Sequence, residues 1–148
     1  MVSFQVEKTV FTSLWSYLEN SLNILCQIYE YHNSLNVNYK DMKSKARGID
    51  RAKLYLTKVV QLDFPTSLNW NEIKKLQNIR NKIVHSYSEV NNNEIQILSN
   101  INYFQYLKLY PLNSTSIIEI EELFLECVIT IFESFYKGLL DSIKKRDK

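Results

Sequence analysis

Apolar residues at the start of the chain recur at three-, four- and seven-residue steps: Phe4, Phe11, Leu14, Trp15, Leu18, Leu22, Leu25 and Tyr29. That spacing lines one side of a helix and predicts a first long element over about 4–32. From Asn33 to Gly48 the period is lost among Asn and Lys, and the stretch reads as a loop. Ala52, Tyr55, Leu56, Val59 and Leu62 restore it, predicting a second helix over 49–62 that Pro65 forces to end at or before Phe64. Asn69 and Glu72 stand three apart as a capping pair, with Leu68 and Ile73 placed as a hydrophobic staple, so a third helix starts there and runs to His85. Ser86 to Ser116 is the least helical part: Asn91-Asn92-Asn93 marks a turn, and Ile95 to Leu98 and Tyr106 to Tyr110 are strand-like runs. Ser116 and Glu119 form a second capping box before Ile120, Phe124, Val128, Ile131, Phe135 and Leu139, predicting a last long helix to Lys145. Its end carries Lys144, Lys145 and Arg146, which complement the negative end of a helix dipole.

These elements predict an all-α fold: an up-and-down four-helix-type bundle with a short irregular or hairpin insertion between the third and last long helices. The 148 residues fit a single helical domain, 1–148, with core enough to need no metal or disulfide. Two Gly and two Pro are too few for glycine-rich phosphate loops, dinucleotide-binding turns or the many tight turns of a β-sandwich. No apolar run approaches the roughly 20 residues that cross a bilayer, since Glu126 interrupts Leu123 to Phe132. The first eight residues lack a secretory signal, which makes the cytoplasm the expected compartment. Cys26 and Cys127 are far apart and read as small apolar side chains; neither they nor His32, read as a helix cap, form a metal-ligand pattern. No cofactor is expected.

Charge changes the picture locally. Residues 40–82 hold eleven Lys or Arg against four acids, so the middle is +7 while the remainder is −5. A basic region fits a polyanionic partner, although solvated helix faces also collect Lys. Within it, Ile73, Leu76, Ile83 and Val84 stand at −7, −4, +3 and +4 from Arg80, which places a guanidinium in the middle of an apolar stripe. Such a charge needs a carboxylate, carbonyls or a bound anion beside it. His85 follows five residues on, about 140° around the helix, with Asn81 one turn before it and able to orient the imidazole. An imidazole donates and accepts protons near neutrality, and a guanidinium offers phosphate a planar fork.

Arg80-Asn81, then His85 and Tyr87, on the third helix of a helical bundle, closely resembles the HEPN superfamily, whose motif is Arg, a polar residue, three more residues and His. The Tyr two positions after His further resembles HEPN toxins paired with minimal nucleotidyltransferase antitoxins. The resemblance covers the whole chain in architecture and is motif-specific over about Ile79 to Tyr87; the long 86–116 excursion departs from the shortest toxins of this kind. It implies a metal-independent endoribonuclease, a toxin or phage-defence effector, with Arg80 and His85 as catalytic residues at a homodimer interface. Asn81 would support them, and Tyr87 would be the residue an antitoxin modifies with AMP.

The chemistry so implied is attack of a ribose 2′-hydroxyl on the adjacent phosphorus, His85 moving protons and Arg80 neutralising charge on the nonbridging oxygens. One chain supplies one such His; a symmetric dimer supplies two. Two other classes fit the same residues: a non-catalytic HEPN-like module that binds RNA or protein, and a structural bundle in which Arg80 pairs with an internal Glu and His85 only caps.

Overall fold

The computed structural model describes residues 2–32, 38–40, 46–64, 68–101 and 103–147, without the side chains of residues 2–5 and of Leu68. The expected Phe4 anchor, the Leu68 staple and Pro65 therefore lie outside the described residues or side chains, as does most of the 33–48 loop. The elements in order are α1 (Val2–His32), α2 (Ile49–Lys58), α3 (Leu68–His85), β1 (Glu89–Val90), α4 (Asn92–Leu98), β2 (Leu107–Leu112), β3 (Thr115–Ile120) and α5 (Glu122–Arg146). A 3-10 turn, Phe104–Tyr106, precedes β2.

The expectation of an all-α four-helix-type bundle is overturned by a three-stranded antiparallel sheet in the order β1-β3-β2. Its centre is the segment assigned above to the start of the last helix. Ser116 is no helix cap: it lies opposite Val90 on one side and Pro111 on the other. Thr115, Ile117, Ile118 and Ile120 are stiff at χ1 and suit a pleated surface better than a helix turn. Ile118 and Ile120 are wholly buried, while Glu119 between them meets Lys8 at 3.7 Å, the alternation of a strand with one covered face. Of the irregular or hairpin insertion expected before the last helix, a hairpin forms, closing through Asn113-Ser114 with Asn113 left-handed at φ 54°, but its second strand runs on to Ile120.

A second correction lies just upstream. Asn91 caps a helix, and Ile95 to Leu98 belong to α4. The Asn91 side chain accepts from the Glu94 N–H at 2.9 Å, and Glu94 accepts from the Asn91 N–H at 3.1 Å, a complete capping box. Conversely, the Asn69 side chain accepts from Ser134 Oγ at 3.0 Å and sits inside α3, which begins one residue earlier.

Two compact units emerge. The first comprises Met1–Trp15 and Thr66–Phe135. It is closed by aromatic packing: Phe124 meets Phe11 edge-on at 5.5 Å and Tyr103 at 5.5 Å, and Trp70 lies 6.1 Å from Phe135. On α5, Phe132 takes the buried place expected of Ile131.

The second unit comprises Ser16–Pro65 and Tyr136–Lys148. Leu18, Leu22, Cys26 and Tyr29 of α1 and Ala52, Tyr55 and Leu56 of α2 are buried there, and the Cys26 thiol donates to the Ala52 carbonyl at 3.7 Å. Burial pushes the Cys26 thiol up to about 12, so it stays protonated and inert, as expected of a small apolar side chain. α2 stops four residues short of its expected end, because Gln61 turns left-handed at φ 61° and Leu62 N–H returns to the Leu56 carbonyl at 2.8 Å. Arg146 of α5 donates Nε to the Val60 carbonyl at 3.1 Å and lies over the Tyr29 ring, so this expected dipole partner satisfies an orphan carbonyl elsewhere. Among the described residues no helix is long and apolar enough to cross a membrane.

Candidate functional site

The candidate site lies in the first unit, where α3 ends and the chain turns into the sheet. The wholly buried line of α3 is Ile73, Leu76 and Ile79. Arg80 stands one residue beyond it and is half-buried, beside the stripe instead of in its middle; Val84 is 44% exposed. The stripe advances by threes and so drifts around the helix, which leaves the last turn less covered.

Arg80 donates Nη1 to the Asn81 side-chain oxygen at 3.2 Å. Its Nε is buried and has no hydrogen-bond partner. Among the described residues no carboxylate pairs with it, which leaves without support the internal pair that a purely structural bundle requires. Its neighbours differ: Lys8 has Glu119, and Lys82 has Glu94. A guanidinium that is partly desolvated yet uncompensated favours an incoming anion. The expected contact of Asn81 with His85 is replaced by this one, since a charged donor makes the stronger bond with the amide oxygen.

His85 is the last residue of α3 and is exposed, with no hydrogen-bond partner for its imidazole among the described residues. Ser86 and Ser88 both return N–H bonds to the Lys82 carbonyl, at 3.1 and 2.9 Å, and Tyr87 and Ser88 are left-handed at φ 52° and 65°. Two successive non-glycine residues in that region carry a cost of about 1–2 kcal/mol each. The turn is held from the far side, where Ser88 is buried and its carbonyl accepts from Ile118 N–H at 2.8 Å. Tyr87 is thereby left 91% exposed.

Two clefts border this turn, and a third lies beside α3 before it. Lys8, Thr9, Thr12, Ile83, Val84, Tyr87 and Ser88 line one of about 410 Å³ between α1 and the end of α3. Tyr87 also borders a smaller one with Ser86, Glu89 and Thr115. Asn78, Asn81, Lys82, Glu94, Ile97 and Leu98 line a third, of about 350 Å³, between α3 and α4. Neither Arg80 nor His85 lines any of the three. The α4 side of the last was missed from sequence, although Asn91 and Glu94 carry the same capping signal that was read elsewhere.

A separate cleft of about 450 Å³ is walled by Glu72, Tyr103, Glu126 and Cys127. Burial first and the Glu72 carboxylate second push the Tyr103 phenol up. Cys127 is only partly buried, unlike Cys26, and both thiols are free. Among the described residues no three of His, Cys, Asp and Glu gather as around a metal ion. His32 ends α1 with its ring edge-on to Tyr31, 5.0 Å away. No family model, curated protein or solved structure matches the chain.

Proposed function

We propose that this protein is a metal-independent endoribonuclease of the HEPN type, acting in the cytoplasm as a toxin or defence effector. The observation that carries the reading is the Arg80 guanidinium: partly buried, tethered by Asn81, without a carboxylate among the described residues, and followed on the same helix by an exposed imidazole. A phosphodiester supplies the missing anion.

In this mechanism a ribose 2′-oxygen attacks the adjacent phosphorus as one His85 takes its proton, and the bond to the 5′-oxygen breaks as a second His85 protonates that oxygen. The products are a 2′,3′-cyclic phosphate and a 5′-hydroxyl. Arg80 holds the nonbridging oxygens as their charge grows. Two imidazoles require two chains, so the active species is a symmetric homodimer that brings the two α3 ends together. The exposure of His85 and Val84 is compatible with such a contact.

Tyr87 is the control point in the same reading. Its hydroxyl attacks the α-phosphorus of ATP bound to a nucleotidyltransferase antitoxin, releasing pyrophosphate and leaving AMP on the ring. The residue is open on nearly all sides, and the added phosphate is an anion tethered close in sequence to Arg80.

The test is cleavage of RNA by the purified full chain in EDTA. Wild type should cut, leaving cyclic phosphate ends, and Arg80→Ala and His85→Ala should each lose about 10²-fold or more in rate while remaining folded. Undiminished cutting by His85→Ala removes the assignment. RNA bound but left intact by wild type establishes the non-catalytic binding module instead.

A further inference from the structure

The cleft between α3 and α4 is made of two matching faces. Asn78, Asn81 and Lys82 stand at i, i+3 and i+4 on α3, and Glu94, Ile97 and Leu98 stand at i, i+3 and i+4 on α4, so each trio shares one side of its helix. The Lys82–Glu94 ion pair joins the walls and cancels their charge. Leu98 is buried, while Ile97 is 63% exposed although it belongs to the lining, an apolar side chain kept in water beside an apolar floor. Asn78 and Asn81 are exposed, and each amide carries two donors and an acceptor. Asn81 commits its oxygen to Arg80 and so belongs both to the cleft wall and to the guanidinium.

We infer that this cleft takes one unstacked nucleobase of the RNA strand whose phosphate sits at Arg80, and that Asn78 and Asn81 are specificity-determining residues. The inference rests on the ribonuclease reading for the strand's identity. A nucleobase is a flat, neutral ring with apolar faces and an edge of donors and acceptors. Ile97 and Leu98 cover a face, and the two amides read the edge, the way single-stranded RNA is read once its bases are splayed out. The ion-paired walls present no net charge, which suits a neutral ring and disfavours a charged peptide side chain. At about 350 Å³ the cleft lies near the lower end of small-ligand sites, about 300–1,000 Å³, room for a base and not for a helix. Because Asn81 touches both places, a base in the cleft and a phosphate on Arg80 belong to neighbouring parts of one nucleotide.

The experiment uses the full ¹⁵N-labelled chain and the four nucleoside 3′-monophosphates, followed at the side-chain amides of Asn78 and Asn81, with inorganic phosphate as the control. The Asn78 amide should shift with nucleotide and not with phosphate alone, with about tenfold preference among the bases, whereas Asn81, bonded to Arg80, responds to both. Ile97→Asp, at an exposed position, should abolish the shift with the backbone spectrum preserved. In parallel, cuts in random-sequence RNA should show a preferred base beside the scissile bond, redistributed in Asn78→Asp. No shift with any nucleotide overturns the cleft assignment, whether or not RNA is cut. Cutting with an identical base profile in wild type, Asn78→Asp and Ile97→Asp also overturns it and leaves the ribonuclease standing. Shifts from a wild-type protein that cuts no RNA keep the nucleobase cleft and discard the ribonuclease.

Discussion

At the scale of single residues, the scarcity of glycine decides much. With two Gly in the chain, the non-glycine residues at positive φ among the described residues are Gln61, Tyr87, Ser88 and Asn113, and each marks a place where an element ends or a hairpin turns. Of these, Tyr87 is the bulkiest and is almost wholly exposed, so its strain is repaid by hydrogen bonds of Ser88 and not by packing of its own ring. Tyr87→Gly should therefore raise unfolding free energy by about 1 kcal/mol, the steric relief exceeding the added backbone entropy, as read from urea denaturation. A loss of stability would mean that the ring holds the turn. The same variant should accept no AMP. Arg80 is the complementary case: its sequence neighbours marked it as anomalous, but only the fold showed its place beside the buried line, with Asn81 as its partner and no carboxylate paired with it among the described residues.

At the scale of elements, periodicity located α1, α3 and α5 because each carries enough apolar anchors to define a face. It failed from Ser86 to Ile120, where segments are short and two signals conflict. Ser116-x-x-Glu119 reads as a capping box, yet the same residues alternate as a strand once β2 and β1 flank them. Asn91-x-x-Glu94 reads as a turn and is a real box. No local rule separates the two cases; the partner strand does. α4, with seven residues, is too short to persist without its cap and its ion pair to α3. Asn91→Ala should cost about 1 kcal/mol and raise amide exchange across α4 more than across α3. Equal protection in variant and wild type would show that packing of Leu98 alone holds the element.

At the scale of the whole molecule, the proposed chemistry needs two copies of a chain that offers one His85. If both imidazoles serve each cut, a dimer of wild type with His85→Ala is inactive. Activity in co-refolded mixtures should then fall as the square of the wild-type fraction, checked by RNA cleavage alongside sedimentation of the dimer. A linear fall would assign a complete site to each chain. The basic run of 40–82 also takes its meaning at this scale. It is shared between the two compact units, and in the first of them Lys75 and Lys82 are already paired with Glu72 and Glu94. Part of the local charge excess in this unit is therefore already compensated, whereas Arg80 has no carboxylate partner among the described residues.

Sequence by itself determined the long helices, the inertness of Cys26 and the Arg80–Asn81–His85–Tyr87 run, because all depend on contacts within a few residues or on burial that apolar spacing foretells. Tertiary structure alone decided the sheet, the α4 wall of the cleft and the partner of Asn81. A strand is completed by hydrogen bonds to chain far away in sequence, a cleft by faces of two helices, and a side-chain amide by whichever donor the fold brings nearest.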